Sequence, residues 1–242
     1  MPMQKSLRRQ IAMDNQQQSA VKVALFSDLL CLWAYISQAR IDELQEQFGE
    51  RVEMSFHFIP LFGDTEKRIA EGWADRGGFT AFNQHLHEVA QGFDYIDIHP
   101  ELWLANVPAS SAGAHLMLKA VELVTEAGSG GDDKLYYRAI CAFRQAFFRD
   151  CRNIGEQRVQ FEILEQLGIA RSPVEEMISN GRACALWCRD IEARDRYRID
   201  GSPTVMLNEG RQKLYGNLGY RVLEANVQEL LEGKHSGQAS WC

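Results

Sequence analysis

The sequence lacks any run of about 18 or more apolar residues, which is the length that a membrane-spanning helix requires. It also lacks an excess of positive charge, because 26 Lys and Arg residues face 33 Asp and Glu residues, for a formal net charge of -7. No internal repeat is present. These absences exclude a membrane-spanning helix and a repeat architecture, and they argue against a nucleic-acid groove or a basic membrane-surface patch.

A secretion signal is missing as well, because Met1 to Ala20 is polar and carries Lys5, Arg8 and Arg9 without an apolar stretch. The chain has six cysteines, an even number that could suggest a disulfide framework. Disulfide frameworks belong to small secreted chains, and this chain is long and shows no leader. We therefore expect reduced cysteines and a cytoplasmic location.

The composition that remains is that of an ordinary globular protein, with 45% hydrophobic and 24% charged residues. A chain of 242 residues can bury a full core. Its length predicts one large domain, or one domain that carries a substantial insertion.

The first structured region shows a strand, a helix and a second strand. Residues Val21 to Phe26 begin with the alternation of a strand, and Val52 to Phe58 have a strict period of two. Between them, apolar residues follow helical spacing from Leu32 to Phe48, and Gly49 stands where a left-handed helix terminus is favoured. The pattern predicts a right-handed βαβ unit with parallel strands.

The middle of the chain, from Asp64 to Tyr197, contains no convincing strand and several segments with a 3.6-residue period. The sequence Ser172-Pro173-Val174-Glu175 combines a capping box with proline at the first helical position, and predicts a helix start. The predicted helices lie around 79–89, 112–127, 135–148, 156–167 and 182–197.

Strand character returns at Thr204 to Leu207, and a turn through residues 208–210 leads to Lys213 to Gly216, which predicts a β-hairpin. A final helix follows, with Gly233 at its end and one apolar face formed by Tyr220, Leu223, Val227 and Leu230. The order predicts an α/β protein: a thioredoxin-like fold with a large all-helical insertion between the βαβ and ββα halves.

These patterns divide the chain into four parts. We expect a disordered polar tail, a discontinuous thioredoxin-like domain, a helical insertion domain and a flexible C-terminal tail. Their boundaries are 1–20 for the first tail, 21–63 and 198–233 for the thioredoxin-like domain, 64–197 for the insertion and 234–242 for the last tail.

Cys31 is the first candidate for chemistry, because it stands between a strand and the start of a helix. Free N–H groups and the helix dipole favour an anion there. Such surroundings can lower a thiol pKa from about 8.5 to roughly 3.5–7.5, which makes the sulfur a nucleophile at neutral pH. The alternative is a buried, inert thiol that packs against the sheet.

A second candidate is the Gly201-Ser202-Pro203-Thr204 segment, just before the predicted hairpin. A proline that enters a strand can hold a cis peptide bond, and the backbone groups exposed there can pair with an extended peptide or with glutathione. An ordinary proline at a strand start is the alternative. The combination with Cys31 predicts a site.

Three stretches resemble the DsbA-like branch of the thioredoxin superfamily: Phe26 to Ile36, which reads FSDLLCLWAYI, the loop at 201–204, and Phe147 to Ile154. The branch includes FrnE-type oxidoreductases, kappa-class glutathione transferases and 2-hydroxychromene-2-carboxylate isomerases. The resemblance spans roughly Val21 to Gly233. Oxidoreductases of the branch read approximately CPWCY at the helix start, whereas this chain reads CLWAY, with Ala34 at the position of the resolving cysteine.

The resemblance implies roles for individual residues. Cys31 would be the nucleophile or thiolate partner, Pro203 the cis residue, and Ser202 and Thr204 groups that help to hold glutathione. Because Ala34 cannot attack a mixed disulfide, an external thiol must release it, and glutathione is the abundant cytosolic candidate. Because homodimers are common in this branch, the resemblance is also compatible with a homodimer.

The sequence indicates less specific roles for the other side chains near the thiol. Trp33 and Tyr35 flank Cys31 and could form a substrate wall, and Asp28 could tune the thiol or cap a turn. Phe58, Phe62 and Trp103 are candidates for the lining of a cleft between sheet and helices.

The remaining cysteines and histidines favour structural roles. We expect Cys184 and Cys188 to pack near Trp187, and Cys141 and Cys151 to pack within the helical block, because two thiols without further ligands make a poor metal site. No metal is therefore expected. His57 is expected to have a structural role with its hydrogen bonds satisfied. His85 and His87, which are two residues apart, are expected to be surface residues.

Three functions follow as hypotheses. The first is a thiol–disulfide oxidoreductase of monothiol type, linked to glutathione, that acts on a small thiol or a peptide disulfide. The second is a glutathione-dependent transferase or isomerase, in which Cys31 steadies the glutathione sulfur. The third is a non-catalytic binding module that kept the fold and lost the dithiol pair.

Overall fold

The computed structural model of the protein describes residues 20–127 and 133–232. The two predicted tails, apart from Ala20, lie outside the described residues, as do the Gly/Ser-rich linker before residue 133, Gly233 and Cys242.

A four-stranded mixed sheet forms the centre of the fold, with strand order β2-β1-β3-β4. β1 pairs with β2 in parallel and with β3 in antiparallel orientation, and β3 and β4 form an antiparallel hairpin. The predicted thioredoxin-like arrangement of a βαβ half and a ββα half is confirmed. The strands are β1 (Val21–Ser27), β2 (Val52–Phe58), β3 (Thr204–Leu207) and β4 (Gln212–Tyr215).

Helix α1 (Leu32–Phe48) connects β1 to β2 and buries one apolar face against the sheet. Ile36, Ile41 and Leu44 are each almost fully buried, and the burial of one such side chain contributes about 1.5–3 kcal/mol. Gly49 ends the helix with a φ of +52°, in the region that favours glycine. Its ψ of -129° lies outside the left-handed helical conformation, so the prediction of a left-handed terminus is confirmed only in the sign of φ.

The region between β2 and β3 is helical, and it contains no regular strand in the part of it that the structure describes. It begins with a short π-helix (Glu66–Glu71) and a 3-10 turn (Ala74–Arg76). The predicted helical insertion is confirmed, and its α-helices are α2 (Gly78–Ala90), α3 (Ala112–Ala127), α4 (Asp133–Phe148), α5 (Gln157–Gln166), α6 (Arg171–Ser179) and α7 (Arg182–Tyr197).

The predicted capping box of α6 is wrong. The helix begins at Arg171, and the extended residue Ala170 precedes it without a side-chain cap. Ser172 therefore lies inside the first turn, where it cannot act as the N-cap. Pro173 still costs no hydrogen bond, because the first turn of a helix leaves its N–H groups without intrahelical partners.

Apolar side chains cover both faces of the sheet. The larger core joins the sheet, α1 and the insertion helices, and a smaller one on the opposite face consists of Phe26, Ile59, Ile199 and Met206. The final helix α8 (Tyr220–Glu232) buries Leu223, Val227 and Leu230, as the sequence predicts.

A buried lysine holds the insertion against the sheet. Lys119 of α3 is 1% exposed, and its Nζ atom lies 2.9 Å from Asp190 of α7 and 2.7 Å from Glu122. It also donates a hydrogen bond to the carbonyl oxygen of Phe56 in β2, at 2.8 Å. Three structural elements thus meet at one ammonium group.

His57 belongs to the same network. Its Nδ1 atom lies 2.8 Å from Asp190, and its Nε2 atom lies 3.2 Å from the hydroxyl of Ser55. The ring stacks on Phe26 with centroids 4.6 Å apart. The expected structural role of His57 agrees with these contacts.

Candidate active site around Cys31

Cys31 lies at the junction between β1 and α1. A turn follows Ser27, and Cys31 takes the extended conformation that precedes the first helical residue. Its carbonyl oxygen accepts the N–H groups of Ala34 and Tyr35, both at 3.1 Å. The side chain is 6% exposed, so the thiol is almost enclosed.

The loop before β3 reaches this thiol. The Ser202–Pro203 peptide bond is cis. The Cys31 thiol donates a hydrogen bond to the carbonyl oxygen of Ser202 at 3.3 Å, and the N–H of Asp28 donates to the Ser202 hydroxyl at 3.0 Å. The antiparallel pairing of β1 with β3 brings the two segments together, since the end of β1 lies opposite the start of β3.

The expectation of a lowered thiol pKa is wrong. Burial raises the pKa of Cys31, and the negative charge of Asp28 adds to this effect. The Ser202 side chain and the backbone N–H groups of Trp33 and Ala34 act in the opposite direction without overcoming burial. The helix start supplies the expected donors, but enclosure of the sulfur disfavours its charged form.

The Asp28 side chain is fully buried in the turn that precedes Cys31, and it accepts several hydrogen bonds. Its carboxylate accepts the N–H groups of Leu30 and Phe62, both at 2.9 Å, and the hydroxyl of Ser111 at 2.8 Å. Burial by itself raises the pKa of Asp28, but His115 and the two backbone N–H groups outweigh it, so the pKa is lowered. These contacts match the turn-capping reading of Asp28.

His115 is a neighbour of this turn that the sequence reading missed. Its Nε2 atom accepts the N–H of Leu29 at 3.3 Å and lies 3.6 Å from Asp28, and the ring stacks on Phe58 at 5.1 Å. The signal was available, because four-residue spacing from Ser111 places His115 on the buried face of α3.

A cleft of about 480 Å³ opens beside the thiol. Its walls are mostly apolar and aromatic, with a few polar and charged groups, which is the usual composition of a small-molecule site. The lining consists of Leu30, Cys31, Leu32, Trp33, Leu61, Phe62, Arg68, Trp73, Phe82, His85, Leu86, Asp200, Gly201, Ser202 and Tyr215.

Arg68 supplies a cation to this cleft. It is exposed on the π-helix, its guanidinium lies 4.7 Å from the centroid of the Phe62 ring, and it forms no ion pair with any residue in the described ranges. Asp200, also exposed, lines the same cleft from the loop before β3. Sequence reading did not find these two residues, because they come from distant segments with no shared motif.

The predicted binding residues divide into two groups. Trp33, which is 39% exposed, and Ser202 both line the cleft. Tyr35 does not line it, and its ring stacks on Phe148 at 4.6 Å instead. Positions two apart on a helix differ by about 200°, so Trp33 and Tyr35 cannot share one wall.

Pro203 and Thr204 lie behind the cleft surface. Both are buried, and the Thr204 hydroxyl donates to the carbonyl oxygen of Gly201 at 2.8 Å. Of the aromatic residues expected in the lining, Phe62 is present, whereas Phe58 and Trp103 are buried in the core. His85 is exposed, as expected of a surface residue, but it also borders the cleft.

The other cysteines follow the predictions only in part. Cys151 is buried and Cys141 is half-buried, in agreement with packing roles. Cys184 and Cys188 are exposed, so the prediction that they pack is wrong. Ala183 and Asp190 lie on the buried face of α7, and both cysteines lie off that face and are exposed to solvent. Among residues 20–127 and 133–232, no three His, Cys, Asp or Glu side chains form a group that could hold a metal ion.

None of the helices in the described ranges has both the length and the apolar character that a membrane crossing requires.

The sheet and the site together define a thioredoxin-like protein with a cysteine thiol beside a cis-proline loop. The profile of the family described as "DSBA-like thioredoxin domain" matches residues 22–228. The chain therefore belongs to this DSBA-like thioredoxin domain family, and the resemblance noted in the sequence is confirmed.

Solved structures show the same fold. The cytosolic disulfide reductase DsbM from Pseudomonas aeruginosa with GSH aligns with a TM-score of 0.63 and 18% identity, over 86% of this chain and 99% of that chain. A 2-hydroxychromene-2-carboxylate isomerase aligns with a TM-score of 0.60 and 17% identity, over 90% and 100% of the two chains.

The thiol–disulfide exchange protein alpha-DsbA2 from Wolbachia pipientis is also similar, with a TM-score of 0.57 and 13% identity over 88% of this chain and 83% of that chain. At such identities the likeness concerns the fold. A search of curated protein sequences finds no significant match to the chain.

Proposed function

We propose that the protein catalyses thiol–disulfide exchange with glutathione, and that Cys31 acts without a resolving cysteine. The observation that carries this proposal is the cleft itself. Cys31 is the only cysteine among the described residues that line it, and Ala34 occupies the position at which a dithiol enzyme has its second thiol.

The reaction proceeds in two exchanges. The Cys31 thiolate attacks the glutathione sulfur of a glutathionylated substrate, an S–S bond forms to Cys31, and the substrate leaves as a thiolate that takes up a proton. A second glutathione then attacks the Cys31 mixed disulfide and releases oxidised glutathione. Over both exchanges the glutathionylated substrate is reduced to its free thiol and one glutathione thiol is oxidised. The two glutathione units leave joined as oxidised glutathione, and Cys31 returns to its starting state.

Charge in the cleft supports glutathione as the co-substrate. Glutathione carries two carboxylates and one ammonium group, and the cleft offers Arg68 for a carboxylate and Asp200 for the ammonium. The volume of about 480 Å³ is in the range of small-molecule sites. A cytoplasmic protein would meet abundant glutathione, and the structure of DsbM with GSH provides a related example.

The backbone beside the thiol supports the same reading. The Ser202 carbonyl oxygen contacts the Cys31 sulfur, and Ser202 itself lines the cleft. A cysteinyl residue that enters the cleft can pair with this loop while its sulfur faces Cys31. Glutathione and a peptide disulfide both present such a residue.

The raised pKa of Cys31 shapes the kinetics of the proposal. A small thiolate fraction slows attack at neutral pH, although the thiolate of a weakly acidic thiol is intrinsically more nucleophilic. The exchange rate should therefore be low at pH 7 and increase with pH.

The test compares the wild type with Ala34→Cys and Cys31→Ser after incubation with oxidised glutathione. Intact mass and peptide mapping should show one glutathione retained on Cys31 in the wild type. Ala34→Cys should lose the glutathione and form an internal disulfide, because its second thiol can attack the mixed disulfide. Cys31→Ser should retain no glutathione at position 31. A wild type without a glutathione adduct at Cys31, even at pH 9, would rule out the proposal.

Burial of the thiol favours a second candidate, a non-catalytic binding module. The Cys31 thiol is 6% exposed and has a raised pKa, and these are the properties of an unreactive, buried cysteine. On this reading, glutathione or a peptide would bind in the cleft without forming a bond to Cys31. Isothermal titration with reduced glutathione, together with an unmodified Cys31 after oxidised glutathione, would identify this case. Turnover of a hydroxychromene that persists in Cys31→Ser would instead indicate the isomerase alternative.

A further inference from the structure

Helix α7 presents two cysteines on one solvent-facing stripe. Cys184 and Cys188 are four residues apart, so their side chains are neighbours on the helix surface, and both are exposed. Cysteine is among the residue types most often buried. Neither thiol contributes to the core, so packing does not explain the pair.

Neighbouring positions on α7 attach the helix to the sheet. The indole N–H of Trp187 donates to the carbonyl oxygen of Phe58 at 3.0 Å. Asp190 accepts the N–H of Phe58 at 2.8 Å and lies 2.9 Å from the ammonium of Lys119. Because these contacts hold the helix, the spacing of Cys184 and Cys188 is fixed before any ligand arrives.

An intact helix prevents these two thiols from forming a disulfide. Side chains four apart on a helix have Cβ atoms about 5–6 Å apart, whereas a disulfide requires roughly 3.5–4.5 Å. The pair therefore cannot serve as a second redox centre unless α7 unwinds. A single atom placed between the two sulfur atoms lengthens the bridge and removes this conflict.

We propose that Cys184 and Cys188 together bind one soft, thiophilic centre, of the kind that a trivalent organoarsenical presents, through one bond from each sulfur. Two protein ligands satisfy such a centre, since its third bond is to carbon. This requirement fits a surface where no third metal-binding side chain joins the group within the described part of the chain. The proposal is independent of the function proposed for Cys31.

Phenylarsine oxide provides the probe. Each thiol gives up its proton, two As–S bonds form, and the oxygen of the probe leaves with the two protons as water. Arsenic stays trivalent and both sulfur atoms keep their oxidation state, so the reaction needs no oxidant or reductant.

The experiment treats the reduced, full-length protein with phenylarsine oxide and then with excess glutathione, before intact-mass measurement and peptide mapping. The wild type should retain one phenylarsine group on the peptide that contains both cysteines. A dithiol such as dithiothreitol should remove it. Cys184→Ser and Cys188→Ser should each weaken retention by about 10²–10⁴-fold, because the second bond no longer forms within one molecule.

Cys151→Ser is the matched control, because Cys151 is buried far along the chain in another segment, and its adduct should equal that of the wild type. Far-UV circular dichroism should show that each variant keeps its helices, as expected for substitutions at exposed positions. A wild type that loses the arsenical to glutathione would overturn the proposal. Equal retention by either single serine variant would overturn it as well.

Discussion

The Cys31 thiol donates a hydrogen bond to the carbonyl oxygen of Ser202 across 3.3 Å. A carbonyl oxygen can only accept, so this contact exists only while the sulfur carries its proton. Deprotonation removes the bond and places a negative charge in a nearly closed site. The resting state of the cleft is therefore a neutral thiol held against the cis-proline loop.

Alkylation of Cys31 by iodoacetamide should accelerate with pH and show no plateau in the neutral range. Burial raises the pKa of this thiol, so the reactive thiolate is scarce until the pH exceeds the ordinary value of about 8.5. Peptide mass spectrometry at pH 6–10 gives the rate at Cys31, with exposed Cys184 as the internal reference. A rate at Cys31 that levels off below pH 8 would contradict the structure.

The same pKa shift predicts a loss of folding stability in alkaline solution. Below about pH 8.5 the thiol is protonated in both the folded and the unfolded chain, so it gives the free energy of unfolding no dependence on pH. Above that pH the unfolded chain loses the proton first, because the folded pKa is higher, and stability falls. Urea denaturation should show a smaller alkaline loss in Cys31→Ser than in the wild type. Identical slopes would remove Cys31 as the cause.

Asp28→Asn should lower the pKa of Cys31, because the negative charge of Asp28 is one cause of its increase. The variant should also be less stable by about 1–3 kcal/mol, since the amide places a donor against the N–H groups of Leu30 and Phe62. The alkylation profile of Cys31 and urea denaturation measure the two effects. Asp94→Asn, at an exposed position, should change neither.

The stability difference between Asp28→Asn and the wild type should shrink in acid. The folded-state pKa of Asp28 is lowered, so its contribution is present above the unfolded value of about 3.9 and is lost as the pH falls through the folded value. Denaturation at pH 7 and at decreasing acidic pH tests this direction. A difference that grows in acid would contradict a buried, ionised Asp28.

Gly201→Ala should alter the cleft and leave the fold stable. A Cβ atom at Gly201 would lie 2.4–2.9 Å from the ring of Tyr215, whose side chain must move away. That residue is 64% exposed, so its displacement should change the free energy of unfolding by less than about 1 kcal/mol. Glutathione affinity should change several-fold by titration calorimetry. Gly219→Ala, where a Cβ meets no atom within 4 Å, should affect neither quantity.

Lys119→Met should destabilise the protein by about 3–5 kcal/mol. The substitution leaves the buried carboxylate of Asp190, which is 3% exposed, without its ammonium partner at 2.9 Å. Urea denaturation measures the cost, and Lys134→Met on an exposed stretch of α4 should cost less than about 0.5 kcal/mol. The double variant Lys119→Met/Asp190→Asn should recover part of the loss. A cost below 1 kcal/mol for Lys119→Met would show that the ion pair does not hold the insertion.

Local periodicity was sufficient for the frame of this fold. The alternation in Val52–Phe58 and the helical spacing in Leu32–Phe48 predict the observed elements, because one face of each packs against the core. The Cys31 and Ser202 segments were also found, since one has a short motif after the end of β1 and the other has a short motif before the start of β3.

Properties that depend on packing between distant segments were not predictable from the sequence. The helix start at Cys31 favours a thiolate, but burial of the sulfur, together with the negative charge of Asp28, reverses the direction of its pKa shift. Likewise, the exposure of Cys184 depends on how α7 rotates, and Trp187 fixes that rotation by bonding to β2. The residues that neighbour each cysteine in the sequence do not indicate which distant segments it will contact.

The two walls of the cleft have separate origins, because Cys31 and Ser202 come from the sheet frame while Arg68, Trp73 and His85 come from the insertion. Mutational change in the insertion can therefore reshape what the cleft accepts while the thiol stays in register with its loop. Exchange of the segment that carries Arg68 between relatives would transfer ligand preference without rebuilding the reactive sulfur. The same division allows selection on specificity and selection on reactivity to proceed along different stretches of one gene.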